Sequence, residues 1–281
     1  MFSIIILTHN KAPYTRKCLE SILQTRGEAV EVIVVDNAST DETHAVLDEM
    51  ETRMGAVGIR MRSIRNRVNG GCCAGRNQGM AAASGDIMVF MDNDVMASGP
   101  DWASGFRRCF EASPLTGIIG PKLIYPFPPH LIQCAGVAIS RSGRVQFRGR
   151  GEARNASSFA VAKEVQCLIS ACFAFKREVY DRLGGLDLAF GPIEFEDFDF
   201  CYRARAAGYK CLYTPSVEMF HWESITSEGT ERLPNTYLII KHGMMFKQRW
   251  RHMFENEDGP PDSECAWRRI PVPSLEGERM R

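Results

Sequence analysis

The sequence predicts an α/β chain built on a doubly wound, mostly parallel sheet, with a small antiparallel region later in the chain and a C-terminal helix. Three observations carry this. From residue 3 to residue 91, short apolar runs alternate with segments of helical period, a pattern that implies parallel strands joined by crossover helices. The run Ile87-Met88-Val89-Phe90-Met91 is apolar without interruption, as a strand covered on both faces requires. After residue 94 proline and glycine become frequent, and Ser142-Gly143 separates two short apolar runs as a hairpin turn does.

In chain order, Ser3 to Leu7 is a buried strand, and Pro13 stands near the first turn of the helix that follows, where its missing N–H costs nothing. Cys18, Leu19, Ile22 and Leu23 form the apolar stripe of that helix. Val30 to Val35 is a second strand ending in Asp36, after which Thr40 is placed to cap a helix containing Val46, Leu47 and Met50. Ile59, Met61 and Ile64 mark a weaker third strand. Asn69-Gly70-Gly71-Cys72-Cys73-Ala74-Gly75 then opens a helix to about residue 83, and the Ile87 strand closes the series. Beyond it we expect a helix from Pro100 through Phe110, apolar pairs on either side of Gly120-Pro121, and a hairpin of 137–139 with 145–147. A long strand is expected from Val165 to Phe175, and a short helix from Arg177 to Leu183 ends at Gly184-Gly185. A helix begins near Glu196 and stops at Gly208. Short strands flank Pro215, a basic helix runs from about Pro234 to Trp250, and composition makes the tail from Glu255 loose.

With 34 Lys plus Arg against 34 Asp plus Glu, the chain has no net charge to advertise nucleic acid as a partner. Its ten cysteines are scattered, and the one adjacent pair, Cys72-Cys73, lacks the spacing of a zinc or redox motif, so they read as reduced packing residues. No signal-peptide pattern and no 18-residue apolar run occurs, which places the expectation in the cytoplasm. The basic last helix (Lys241, Lys247, Arg249, Arg251) offers a face for peripheral association at a membrane.

Several groups carry chemistry. Asp92-Asn93-Asp94 stands at the carboxyl end of the Ile87 strand, where ligands bind in open α/β sheets. Two carboxylates one residue apart repel unless a cation lies between them, and hard divalent ions take oxygen ligands. The plain alternative is a turn capped by its own Asp and Asn side chains. Asp36 could read a ribose or base, yet Thr8-His9-Asn10 replaces the glycine-rich turn of a dinucleotide fold. That same absence disfavours a sugar nucleotidyltransferase. The glycine run 70–75 with Arg76 could present amides and a cation to a phosphate, or simply be a turn. Glu194, Glu196, Asp197 and Asp199 crowd the start of one helix, more acids than capping needs. His221 alone is more ordinarily structural than a ligand.

Taken together, Val34-Val35-Asp36-Asn37-Ala38-Ser39-Thr40-Asp41, the Asn-Gly-Gly-x-x-Ala-Gly-Arg-Asn-Gln-Gly run of 69–79, Met91-Asp92-Asn93-Asp94-Val95, Gly184-Gly185-Leu186-Asp187 and Glu196-Asp197-Phe198-Asp199 resemble the family 2 inverting glycosyltransferases of GT-A fold, in particular the rhamnosyltransferase-like enzymes of bacterial polysaccharide assembly. The resemblance spans about residues 3–250. It implies a transferase domain over 1–230, with a nucleotide-binding half (1–97) and an acceptor half (98–230), and a C-terminal helix and loose tail over 231–281. It implies that the backbone at Thr8 and the carboxylate of Asp36 hold the base, and that Asn69, Gly71, Arg76, Asp92 and Asn93 line the donor site. It implies that Asp94, His221 and Asp92 meet a Mg²⁺ or Mn²⁺, and that the Glu196-Asp197 pair is the catalytic acidic motif with Asp197 as general base. The partners implied are a nucleotide-diphosphate sugar and a hydroxyl acceptor on a glycan, a lipid-linked sugar or a protein. The competing expectation is a non-catalytic homologue that binds nucleotide sugars or glycans. Leu186 stands where the family usually has Phe, and Gly191-Pro192-Ile193-Glu194-Phe195, ahead of the catalytic motif, matches no acceptor preference.

Overall fold

The computed structural model describes residues 1–223 and 236–271. The first half alternates as expected: β1 (Phe2–Thr8), α1 (Ala12–Ile22), β2 (Val30–Asp36), α2 (Thr43–Ala56), β3 (Arg60–Arg65), α3 (Gly71–Ala82) and β4 (Ile87–Asp92). The second half adds β5 (Val95–Ala97), α4 (Trp102–Ala112), β6 (Thr116–Ile124), β7 (Ile132–Cys134), β8 (Val137–Ile139), β9 (Val145–Phe147), β10 (Lys163–Val165), β11 (Cys172–Lys176), α5 (Arg177–Leu183), α6 (Glu196–Ala206), β12 (Lys210–His221) and α7 (Thr236–Phe254).

One sheet runs in the order β10-β12-β6-β11-β4-β1-β2-β3, with β5 on β12 and β7 on β6. β1 pairs parallel with β2 and β4, and β2 with β3. β11 lies antiparallel between β4 and β6, and β12 is parallel to β6, so the long strands other than β11 all point one way. After β1, the chain builds β2 and β3 on one side and then crosses to β4 on the other. This reversal opens a crevice at the carboxyl ends of β1 and β4, where Thr8 and Asp92 sit. α3 approaches the sheet closely because Gly75 and Gly79 face it, one turn apart; a Cβ at either would overlap Leu7 or Ile5 of β1. Phe90, Phe173, Phe175 and Phe200 pack as one aromatic group beneath the crevice. The expected boundary between residues 97 and 98 falls between β5 and α4, within this continuous sheet.

The 137–139 and 145–147 hairpin forms as β8 and β9. Four local expectations are corrected. Thr40 does not cap α2: the Asp41 carboxylate accepts from Thr43 N at 3.0 Å and from Ala12 N at the start of α1 at 3.0 Å, serving two helices at once. The apolar run 165–175 is not one strand, because the chain turns between β10, which pairs with β12, and β11, which pairs with β4 and β6. Apolar composition reports burial, and here the buried stretch between the two strands makes only a single bridge among the described residues, Cys167 to Val137 of β8. The segments flanking Pro215 form a single strand, β12, whose register on β6 shifts between Thr214 and Glu218, an irregularity that accommodates a residue with no amide to donate.

The tail is the fourth correction. Glu257 accepts from Gln166 Nε2 at 2.6 Å and from Arg205 Nη2 at 2.9 Å, and Ser142 Oγ donates to Asp262 at 2.8 Å. Polar and charged side chains thus dock residues 255–271 where composition alone reads looseness. Phe246, Trp250 and Phe254 of α7 belong to the main hydrophobic core. Pro234, the expected start of that helix, lies outside the described residues. No described helix is long and apolar enough to cross a membrane.

Candidate active site

The turn after β4 owes its shape to its middle residue. Asn93 is buried, and its Nδ2 donates to the hydroxyls of Thr8 at 3.2 Å and Thr15 at 3.0 Å. With Asn93 turned inward, the carboxylates on either side face the crevice. Trp222 N donates to the Asp94 carbonyl at 3.2 Å, fixing the end of β12 beside the turn, and His221 Nε2 comes within 3.3 Å of Asp94 Oδ1. The other ring nitrogen of His221, Nδ1, lies 2.6 Å from Gln133 Oε1 on β7; donation to that amide oxygen leaves Nε2 aimed at the acids. One ligand atom each from Asp92, Asp94 and His221 lies within 4.8 Å of the others, the one such group among the described residues. Two carboxylate oxygens and an imidazole nitrogen form a donor set that suits Mn²⁺ or Mg²⁺, so the residues present fit a divalent cation. Burial depresses the His221 pKa, but Asp94 beside it more than compensates and the net direction is upward. Asp92 is also raised, by burial and by Asp94, against the pull of Arg76.

Arg76, expected near the ribose or diphosphate, is a buried strut. Its guanidinium donates to Asp92 Oδ1 at 2.6 Å, to the Ser170 carbonyl at 3.0 Å and to the Ser170 hydroxyl, and stands 3.7 Å from Glu196 Oε1. It therefore links the acidic turn of β4 to the acidic start of α6.

The four acids at that start have four environments. Glu196 is buried; Oε1 accepts from Cys72 Sγ at 3.3 Å, and Oε2 has no hydrogen-bond partner. Asp197 is half-buried, with Oδ2 held by Ser170 N at 3.0 Å. Burial, then the charge of Glu196, push its pKa well above the usual carboxylate range, opposed by the Ser170 amide and Arg76. Asp199 is fully buried between α6 and α7, accepting from Arg203 Nε at 2.8 Å, Arg249 Nη1 at 2.8 Å and Trp250 Nε1 at 2.9 Å. Glu194 is pushed up to about 7 by burial and by Glu196.

The loop leading into α6 is clamped on two sides. The Pro192 carbonyl accepts from Cys72 N at 2.6 Å, and Asn69 Oδ1 accepts from Gly71 N at 2.9 Å, so the first amides of α3 are already engaged and do not form a free phosphate cradle. Gly71 has φ +79°, and a Cβ there would lie 2.8 Å from Pro192, which makes glycine necessary twice over. From α7, the buried His242 places Nδ1 2.9 Å from the Ile193 carbonyl. Glu194 and Phe195 then take left-handed backbone, φ 86° and 68°, the strained geometry that gathers at functional sites.

On the nucleotide side, Asp36 is fully buried, with Oδ1 accepting from Ser39 N at 3.0 Å and Oδ2 2.7 Å from His44 Nε2. Contact between this carboxylate and a base would replace or share the half-exposed His44. Asn10, Lys11 and Ala38 are left-handed at the ends of β1 and β2, again at the crevice mouth. Sequence reasoning missed Thr15, Ser170, Gln133 and Trp222. Each acts through a contact far away in the chain, and no local pattern marks any of them.

Residues 3–184 match the family model for glycosyl transferase family 2. The protein y4gI of Sinorhizobium fredii is 33% identical over 260 residues, 89% of this chain and 28% of that protein. The O-antigen biosynthesis protein RfbC of Myxococcus xanthus is 28% identical over 83% of this chain and 18% of its own length, so the chain spans well under a third of either relative. An N-acetylglucosaminyl-diphospho-decaprenol L-rhamnosyltransferase of Mycobacterium tuberculosis is 24% identical over 85% of this chain and 80% of its own. Among solved structures, GalNAc-T7 with UDP, GalNAc and Mn²⁺ superposes with TM-score 0.71 at 15% identity, over 91% of this chain and 50% of the other. A mannosyltransferase of Pyrobaculum calidifontis with GDP-Man and Mn²⁺ gives 0.58 at 17% identity, over 90% of this chain and 70% of the other. The architecture is that of the GT-A glycosyltransferases, and the chain belongs to glycosyl transferase family 2.

Proposed function

We propose that this chain is an inverting glycosyltransferase that moves a sugar from a nucleotide-diphosphate donor to a hydroxyl on a glycan, a lipid-linked sugar or a protein. The observation that carries the reading is the convergence of Asp92, Asp94 and His221 at the carboxyl end of β4, tied through Arg76 to Ser170, which holds Asp197. Asp94, His221 and Asp92 would hold a Mg²⁺ or Mn²⁺, which would neutralise the charge that grows on the departing diphosphate. The donor's nucleotide lies over the ends of β1 and β2, with the Thr8 backbone and Asp36 beneath the base. Arg76 and Asn93 act from below by fixing Asp92 and the turn. Asn69 and Gly71 seat the Pro192 loop that borders the site. Asp197 accepts the proton of the acceptor hydroxyl as its oxygen bonds to the anomeric carbon and the bond to diphosphate breaks on the opposite face. The Ser170 amide holds one carboxylate oxygen in place, and the raised pKa makes Asp197 a stronger proton acceptor than an ordinary carboxylate. Glu196, buried beside Arg76, contributes the charge that raises it.

A lipid-linked acceptor is supported by the name of the mycobacterial relative and by the exposed stripe of Tyr237, Ile240 and Met244 along α7, with Lys241 beside it, a face suited to peripheral seating on a membrane. Thermal-shift titration with UDP, GDP and dTDP, with and without Mn²⁺, tests the donor site. At 100 times Kd, one of them should add about 2.7 kcal/mol of stability with Mn²⁺ present. Asp94→Asn and His221→Ala should lose the metal-dependent part. If none of the three shifts the protein, the donor reading fails; if one shifts it but no nucleotide sugar is ever consumed, the glycan-binding alternative replaces the enzyme.

A further inference from the structure

Apart from the acidic crevice, the docked tail borders an open cavity of about 480 Å³ with β9 and the loop that follows it. Phe147, Phe159 and Trp267 line it, together with Arg150, Arg268 and Glu152. Trp267 is 53% exposed at its rim, edge-on to Phe147 at 5.2 Å, with the Arg150 guanidinium 3.7 Å from its ring centroid. Arg150 itself is buried, forked onto Glu223 at 2.7 and 3.0 Å, with Nε donating to the Arg268 carbonyl at 2.6 Å. The charged lining is balanced, Arg150 and Arg268 against Glu152 and Glu264. A phosphate or an acidic lipid would meet as much repulsion as attraction here. A neutral ligand rich in hydroxyls meets both donors and acceptors, while its C–H faces lie against aromatic rings whose faces are electron-rich.

The cavity is joined to the candidate metal cluster through β7 and through the end of β12. Glu223 lies two residues beyond His221, and β7 presents Gln133 to His221 while Ile132, its neighbour, exchanges hydrogen bonds with Gly151 at 2.8 Å and Glu152 at 2.9 Å. Both links lie on the β12-β6-β7 side of the sheet, across β11 and β4 from the proposed nucleotide site at the ends of β1 and β2. We infer that this cavity is a subsite for a neutral saccharide, the part of the acceptor glycan that lies beyond the reacting hydroxyl. This rests on the transferase reading above.

The test is a glycan array of neutral and anionic oligosaccharides probed with the full chain, followed by titration of the best binder. Trp267→Ala should weaken neutral-glycan binding about tenfold, as loss of an aromatic platform does, and Trp267→Phe should hold within about threefold. Arg268→Ala, which keeps the carbonyl that holds Arg150, is a second arm that removes a rim donor and should weaken binding about threefold. The thermal shift with nucleotide diphosphate and Mn²⁺ should be unchanged in all three, which separates failure of this subsite from failure of the donor site. The inference is overturned if no neutral glycan is retained, if only anionic glycans are, or if Trp267→Ala binds the neutral glycan as wild type does.

Discussion

Asp197 and Asp199 stand two residues apart on α6 and have opposite surroundings. Asp197 reaches toward the crevice with its two carboxylate oxygens accepting from the amides of Ser170 and Phe198, whereas Asp199 is consumed by Arg203, Arg249 and Trp250. Asp197→Asn is therefore expected to lower transfer by about 10²–10⁴-fold, the usual contribution of a general base, with nucleotide binding intact. Asp199→Asn should instead destabilise the fold by about 2–3 kcal/mol, below the full cost of breaking a buried pair because Arg249 is one-third exposed and rehydrates. Transfer and urea midpoints for the two variants separate these roles; an Asp199→Asn protein of normal stability and no transfer would reverse them. Because the Asp197 carboxyl is raised and the base must be ionised, activity should fall as pH drops through a midpoint above the ordinary Asp value of about 3.9. An acid limb in kcat/KM at or below that value would show the carboxylate to be unperturbed.

At the scale of elements, the 191–195 loop decides where α6 begins, and it is held by α3 through Cys72 and by α7 through His242. Glu194 in this loop is pushed up to about 7, so its protonated form is favoured by folding. Stability from this group is fully present below the unfolded value of 4.5 and is lost as pH rises through about 7. Glu194→Gln should match wild type near the acid end of that window and exceed it at pH values above the window. Urea midpoints of the two proteins on either side of that range check this, and parallel curves would place Glu194 in water. The family match ends at residue 184, ahead of this loop, so the element that aims the proposed base is the part of the site for which the match is silent.

For the whole molecule, the tail is structural through at least residue 271, and Glu257 is its anchor. It accepts from Gln166, Tyr202 and Arg205, joining the end of α7 to α6 and to the segment after β10. Glu257→Ala leaves Arg205 and Tyr202 facing a partly buried gap and should cost about 2–3 kcal/mol, near the low end for breaking a buried charged cluster. A denaturation midpoint unchanged from wild type would mean that the tail stands free, as its composition suggests.

Periodicity alone determined the alternating first half and the position of Asp92 and Asp94 at a strand's carboxyl end, because burial on both faces forces continuous apolar runs and acids interrupt them abruptly. The grouping of motifs determined the family. The tertiary structure decided what each acid and cation does. Arg76 bonds to Asp92 and Ser170 and Asn93 to Thr8 and Thr15, contacts that no sequence pattern marks, and Glu196, Asp197 and Asp199 differ only through what folds over them. The resemblance already paired His221 with Asp94, and the fold brings the two within 3.3 Å; that Gln133 and Ser170 orient the site only the tertiary structure decided. Hydrogen bonds between distant segments obey no sequence period, because their partners are selected by sheet order and loop path rather than by spacing along the chain.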